Sequence, residues 1–275
     1  MSSRMHQVAV ENEEIAARGA YRTPAGHPAE IGEWLARACA GTVSYGPDEL
    51  PPGGGRGPLA GPVEVTSEGS MQAARRLTEA GGRHVAVLNF ASARNPGGGY
   101  LRGAKAQEED LCRSALLYRC LLEAPDYYEA HRASTDLRYS HRVIWSPQVP
   151  VVRDASGQLL AQPYQVSFLT SPAPNAGQLA LRSPQQPVDV RGVLAERAAR
   201  VLAVAARHGV RELVLGAWGC GVFRNDPADV AEAFETALAE HGAPFDRVVF
   251  AVWDRTPVSA NRAAFEQRFA AGRAL

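Results

Sequence analysis

The sequence predicts an α/β protein in which helices cover both faces of one mixed, mostly parallel sheet. Three observations predict it. From Val63 onward, short β-branched runs alternate with amphipathic runs of helical length. Two glycine-rich loops each follow a strand-like run. The chain is 275 residues long and 45% hydrophobic, enough for one large core. Open sheets of this kind bind ligands beyond the carboxyl ends of their strands, so those loops are where function is sought.

In chain order, the first sixty residues differ from the rest. Apolar residues at helical spacing predict helices over His6–Arg18 and Ala29–Ala40, the second presenting Ile31, Trp34, Leu35 and Ala38. The run from Pro51 to Pro58, rich in proline and glycine, cannot continue any regular element. Residues 1–61 therefore read as a helical extension with a Pro/Gly-rich loop, and residues 62–275 as the main domain. That domain opens with a predicted strand Val63–Thr66, helix Met71–Ala80, strand Val85–Phe90 and helix Ala106–Leu122. Arg142–Trp145 and Gln165–Leu169 are strand-like. Helix Val190–His208, strand Glu212–Leu215, helix Pro227–Glu240, strand Arg247–Trp253 and a last helix near Asn261–Ala270 complete the alternation.

Composition excludes several functions. Lys and Arg together number 29, as do Asp and Glu, so no charge surplus directs the chain to nucleic acid or an anionic membrane. The longest apolar runs, Val85–Leu88 and Val248–Val252, fall far short of the roughly 20 residues a bilayer requires. The N-terminus turns acidic where a signal peptide needs an apolar core, and a cytoplasmic protein is expected. Cys39, Cys112, Cys120 and Cys220 form no Cys-x-x-Cys pair, and Cys112 and Cys120 lie too far apart on one predicted helix to bridge. No metal site and no cofactor are expected, and the chain reads as a monomer.

The strand Glu212–Leu215 leads into Gly216-Ala217-Trp218-Gly219-Cys220-Gly221-Val222-Phe223-Arg224-Asn225-Asp226. Gly219 and Gly221 free the backbone to aim N–H groups inward. Asp226 suits an N-cap, Pro227 suits the first helical position, and the helix behind them turns its positive end to the loop. This is the shape of an anion cradle, and also of an ordinary strand-to-helix turn. Phe223 suits covering a sugar face or packing in the core.

The strand Val85–Phe90 leads into the other loop, which contains Asn95-Pro96-Gly97-Gly98-Gly99. Three consecutive glycines allow positive φ and close approach of a ligand. Asn95 can orient sugar hydroxyls or close an Asx turn before Pro96. Seven residues after Gly99 comes Gln107-Glu108-Glu109, at the start of a predicted helix. One acidic residue there is an ordinary complement to the helix dipole; two ask for more. Successive helical side chains diverge by roughly 100°, so the pair cannot flank a scissile bond as two ordinary glycosidase carboxylates do, and their tasks must differ.

The triple glycine, seven intervening residues and Gln-Glu-Glu resemble the signature of the poly(ADP-ribose) glycohydrolases. The run from Leu88 to Gly99, with Gln107-Glu108-Glu109-Asp110-Leu111-Cys112-Arg113-Ser114, is similar to the bacterial-type branch. The resemblance implies a macrodomain, a three-layer α/β/α structure that binds ADP-ribose. It also implies hydrolysis of ribose-ribose O-glycosidic bonds in poly(ADP-ribose), or on an ADP-ribosylated protein, with release of ADP-ribose. By motif position Glu109 corresponds to the catalytic acid and Glu108 to the neighbour that holds ribose hydroxyls. Asn95, Gly97, Gly98, Gly99 and Gln107 fall on the substrate side, and Gly219, Cys220, Gly221, Val222 and Phe223 resemble the diphosphate-binding loop. Glu68, Trp253 and Asp254 lie at strand ends suited to adenine. If the extension covers the far side of the pocket, cleavage is restricted to chain ends. Two alternatives keep the fold: a non-catalytic ADP-ribose reader, which has no need of the acidic pair, and a mono-ADP-ribosyl hydrolase. Dinucleotide or P-loop binding lacks its motif here.

Overall fold

Alternation along one strand separates two cores. In β5 (Val85–Phe90), Val85 and Val87 face one buried cluster and Ala86 and Leu88 face another, so the strand lies in the middle layer of three. The computed structural model describes residues 3–49, 55–185, 188–256 and 258–269. Residues 51–54 of the Pro/Gly-rich run and Ala270, at the end of the last predicted helix, lie outside them.

The elements preceding β5 are α1 (Arg4–Arg18), β1 (Ala20–Arg22), β2 (Pro28–Glu30), α2 (Gly32–Ala40), β3 (Val43–Tyr45), β4 (Val63–Thr66) and α3 (Ser70–Glu79). After β5 come a 3-10 turn at Tyr100–Arg102, α4 (Gln107–Ser114), α5 (Leu117–Leu121) and α6 (Pro125–Arg132). Then follow β6 (Val143–Arg153), β7 (Leu159–Ser171), α7 (Ala176–Arg182), α8 (Arg191–Arg207), β8 (Glu212–Leu215), α9 (Pro227–His241), β9 (Arg247–Ala251) and α10 (Ala260–Arg268).

The main sheet runs β3-β6-β7-β5-β8-β9-β4. The β5–β7, β5–β8, β8–β9 and β4–β9 pairs are parallel, and the β3–β6 and β6–β7 pairs antiparallel. One face packs against Ala9 and Ile15 of α1, Leu35 of α2, Leu77 of α3 and Leu111 of α4. The other packs against Val201 and Leu202 of α8, Phe234 and Leu238 of α9 and Phe265 of α10. The expected three layers are thus present. Among the described residues, no helix is long and apolar enough to cross a membrane.

Several elements depart from expectation. The helix read as Ala106–Leu122 breaks at Ala115, which is extended (ψ 158°) and bridges to Val151, while Leu116 N–H donates to Pro150 O at 3.0 Å. β3 pairs only with Val143–Trp145, and Ala115 occupies part of the β6 edge that β3 leaves free. β6 and β7 extend well beyond the strand-like cores seen in sequence, because Pro147, Pro150 and Pro163 interrupt the pattern and a register shift between Ser146 and Val149 absorbs Gln148 at φ 43°. The predicted start of the second helix at Ala29 is strand instead, pairing Tyr21 with Ala29.

β3 and β4 occupy opposite edges of the sheet, and described residues of the chain crossing between them lie against α8 and α9. Arg200 of α8 donates to Gly46 O at 2.8 Å, and the N–H groups of Gly57 and Leu59 donate to Glu240 O and Leu238 O. The crossing chain thereby satisfies carbonyls in the last turn of α9 that the helix itself cannot.

Candidate active site

Parallel pairing of β5 with β7 and β8, and of β9 with β8 and β4, brings five carboxyl ends to one edge of the sheet. The loops after β5 and β8 are neighbours there. A Cβ on Gly216 would meet the Phe90 ring at 3.1 Å, and a Cβ on Gly219 would meet Ala173, just past β7, at 2.5 Å.

α4 begins at this edge and carries the acidic pair in its first turn, where the helix dipole favours negative charge. Glu109 Oε2 accepts the Ala106 N–H at 2.9 Å, closing the helix start on itself, and its Oε1 accepts the Gly99 N–H at 2.7 Å. Glu108 points back toward β5: Oε2 accepts the Ser92 N–H at 2.7 Å and Oε1 accepts from Asn89 Nδ2 at 3.2 Å. Both side chains are buried, Glu108 at 3% exposure and Glu109 at 7%. Burial pushes the Glu108 carboxyl up to about 8. The bonds from Ser92 and Asn89 pull the other way, and the charge of Glu109 adds to the rise.

Gly98 sits between the two carboxyls. A Cβ there would lie 2.5 Å from Glu109 Oε1 and 3.0 Å from Glu108 Oε2, and φ is +59°. Only glycine satisfies both the backbone conformation and the approach of two carboxyl groups. Gly97, at φ +63°, packs on Tyr118 and Cys112, and Gly99 packs on Ala104. The triple glycine is therefore explained by the carboxyls and by packing as well as by any ligand.

The other motif residues divide. Gln107, expected on the substrate side, faces protein: Oε1 accepts the Phe90 N–H at 2.9 Å, while Nε2 donates to Leu88 O at 2.8 Å and Ser70 Oγ at 3.2 Å. It fastens the start of α4 to the end of β5. Asn95 is exposed; its N–H is held by Ser92 Oγ and its carbonyl accepts the Gly98 N–H, so its side chain is not what closes the turn. Arg113, also of the motif, holds Ala104 O at 2.7 Å and pairs with Asp110.

In the second loop Gly219 adopts φ +73°, and a Cβ there would strike Asn225 Nδ2. Asn225 is buried and donates to Pro174 O at 2.9 Å and Gly219 O at 3.2 Å, tying the loop to the chain after β7. Asp226 caps α9 by accepting the Ala228 N–H at 2.8 Å. Among the described residues, the N–H groups of Gly219, Gly221, Val222 and Phe223 donate to no protein acceptor. Four free donors before a helix N-terminus are an arrangement suited to an anion. Val222 is 85% exposed, Cys220 is half-buried, and Phe223 stands 6.0 Å from the Tyr139 ring.

Glu68, Trp253 and Asp254 follow the paired carboxyl ends of β4 and β9. The Glu68 carboxylate is held by Arg76 at 3.0 Å, whereas Trp253 is 60% exposed. Sequence reasoning missed Asn89, Ser92 and Asn225. Only Asn89 carried a signal, a polar amide near the end of an otherwise apolar strand-like run, which the structure buries.

A family model described as the catalytic domain of microbial-type PARG, the poly(ADP-ribose) glycohydrolases, matches residues 9–154. The solved structure of poly(ADP-ribose) glycohydrolase from Thermomonospora curvata is 47% identical, with TM-score 0.87, over 96% of this chain and 99% of that one. Its form bound to the inhibitor ADP-HPD is 48% identical with the same TM-score and coverage. The enzyme from Deinococcus radiodurans in complex with ADP-ribose is 46% identical, with TM-score 0.79, over 86% of this chain and 97% of that one. Comparison with curated protein sequences returned no match. The Gly-Gly-Gly and Gln-Glu-Glu segments, the acidic pair they bring together and these similarities agree: the chain belongs to the microbial-type poly(ADP-ribose) glycohydrolase family.

Proposed function

We propose that the chain hydrolyses the ribose-ribose O-glycosidic bond of poly(ADP-ribose) and releases ADP-ribose from chain ends, with Glu109 as proton donor and Glu108 as ribose anchor. One observation carries the reading: the two carboxyl groups converge on Gly98, 2.5 and 3.0 Å from where its Cβ would lie, at the glycine loop beyond the end of β5. The free N–H groups at 219 and 221–223 suit the diphosphate of the same ligand.

Cleavage leaves an alkoxide on the departing ribose while positive charge grows at the anomeric carbon, so a proton must be delivered as the bond breaks. Glu109 passes the proton to the leaving oxygen. The ionised carboxylate then takes one from the attacking water, whose oxygen bonds to the anomeric carbon. Glu108, fixed by Ser92 and Asn89, would accept from ribose hydroxyls. The element that would restrict cleavage to chain ends is α1, whose first turn lies on the 3-10 turn after the glycines: His6 Nδ1 is 2.7 Å from Leu101 O.

Incubation with labelled polymer, followed by chromatography, tests the reading. Free ADP-ribose should appear from the first time points without internal fragments. Glu109→Gln should lower turnover by roughly a thousandfold or more and leave ADP-ribose affinity within a few fold. Normal turnover in that variant would overturn the assignment, and early oligomeric products would contradict chain-end cleavage.

A further inference from the structure

Cys39, near the end of α2, and Cys120, in α5, are 81 residues apart in sequence, yet their sulfurs lie 3.9 Å apart. The break at Ala115 separates Cys120 from the helix that carries Cys112 and turns it toward the N-terminal segment. We propose that Cys39 and Cys120 form a peroxide-oxidisable dithiol that closes to a disulfide, tying α2 to the helix that follows the acidic pair.

The two thiols have the asymmetry such a step needs. Cys39 is half-buried and open to a small oxidant, whereas Cys120 is buried. The hydrogen bond from Cys120 lowers the Cys39 thiol, with the Arg119 charge assisting, and the same bond raises Cys120. Burial raises Cys112 well above the ordinary thiol range and pushes Cys220 up to about 12, so neither offers thiolate near neutral pH.

The chemistry balances with hydrogen peroxide as oxidant. The Cys39 thiolate attacks one peroxide oxygen and the O–O bond breaks; the released hydroxide takes a proton to become water, leaving Cys39 as a sulfenic acid. The Cys120 sulfur then attacks the Cys39 sulfur, the S–O bond breaks, and the oxygen leaves as a second water. Two thiols are oxidised and one peroxide is reduced. The sulfurs must approach by roughly 2 Å to reach bonding distance, which is within the reach of side-chain rotation.

The test uses the full chain, reduced and then exposed to a small excess of hydrogen peroxide. Two of the four cysteines should be lost from a thiol titration under denaturing conditions. The intact mass should fall by about 2 Da, for two hydrogens. A non-reducing digest should yield a linked pair of peptides carrying Cys39 and Cys120, and dithiothreitol should reverse all three. Because the bond closes a long loop, the melting temperature of the oxidised chain should rise by roughly 5 °C or more. Cys39→Ser and Cys120→Ser, each checked for native circular dichroism, should each lose the linked peptides. The proposal fails if all four thiols persist, if Cys39 advances to sulfinic acid while Cys120 stays free, or if the link runs through Cys112, Cys220 or a second chain.

Discussion

At the residue scale, Glu108 ties catalysis to stability. Its folded pKa of about 8 stands above the ordinary 4.5 because a nearly inaccessible carboxyl resists ionisation. The folded protein therefore holds this proton to higher pH than the unfolded chain does. The contribution to stability is complete below about pH 4.5, erodes above it, and is lost as pH rises through about 8, a change of a few kcal/mol. Glu108→Gln cannot ionise and escapes this loss. Melting temperatures measured at about pH 5 and about pH 9 should show the variant gaining several degrees on the parent at the alkaline end. Parallel curves would mean that Glu108 ionises as freely in the folded chain as in the unfolded one.

At the scale of elements, the second loop depends on one backbone conformation. Gly219 at φ +73° leaves room for Asn225 to reach Pro174, and that bond ties down the loop that precedes α9. Gly219→Ala adds a methyl where Asn225 Nδ2 and Ala173 already sit, in a conformation that side chains resist. ADP-ribose affinity, measured by calorimetry, should fall tenfold or more while the sheet keeps its circular dichroism; unchanged affinity would remove this loop from the diphosphate site. Strands β4, β5, β8 and β9 and both glycine loops were legible in sequence because their causes are local: β-branched runs, turn residues, a cap at Asp226 with Pro227 after it. The break at Ala115 was not, since its cause is a free strand edge contributed by residues near 150. Nor was the role of Gln107: it belongs to the motif, but its carboxamide bonds to β5 and Ser70, which a linear pattern cannot distinguish from ligand binding.

For the whole molecule, the question is whether the extension read over residues 1–61 is a module or a structural part of the catalytic unit, and its contacts favour the second. β3 forms an edge of the main sheet, and Ile15, Ile31 and Leu35 are buried in the same core as Val87 and Phe168. Asn12 in α1 donates to Arg113 O at 2.8 Å and Cys112 O at 3.3 Å, carbonyls in the last turn of α4, and accepts from buried Arg153 at 2.7 Å. The helix that presents both glutamates is thus capped by a residue from the extension. Each large aliphatic side chain left without its partner costs about 1.5 to 3 kcal/mol, and leaving the Arg153 charge unmet costs several more. Against a total stability of roughly 5 to 15 kcal/mol, a chain beginning after Pro58 is not expected to hold its fold. It should show no cooperative thermal transition, rapid proteolysis and no ADP-ribose release. If instead the truncated chain melts cooperatively near the parent temperature and retains activity, α1 to β3 are dispensable to the catalytic unit. Any change in product length would then report on whether they cover the cleft.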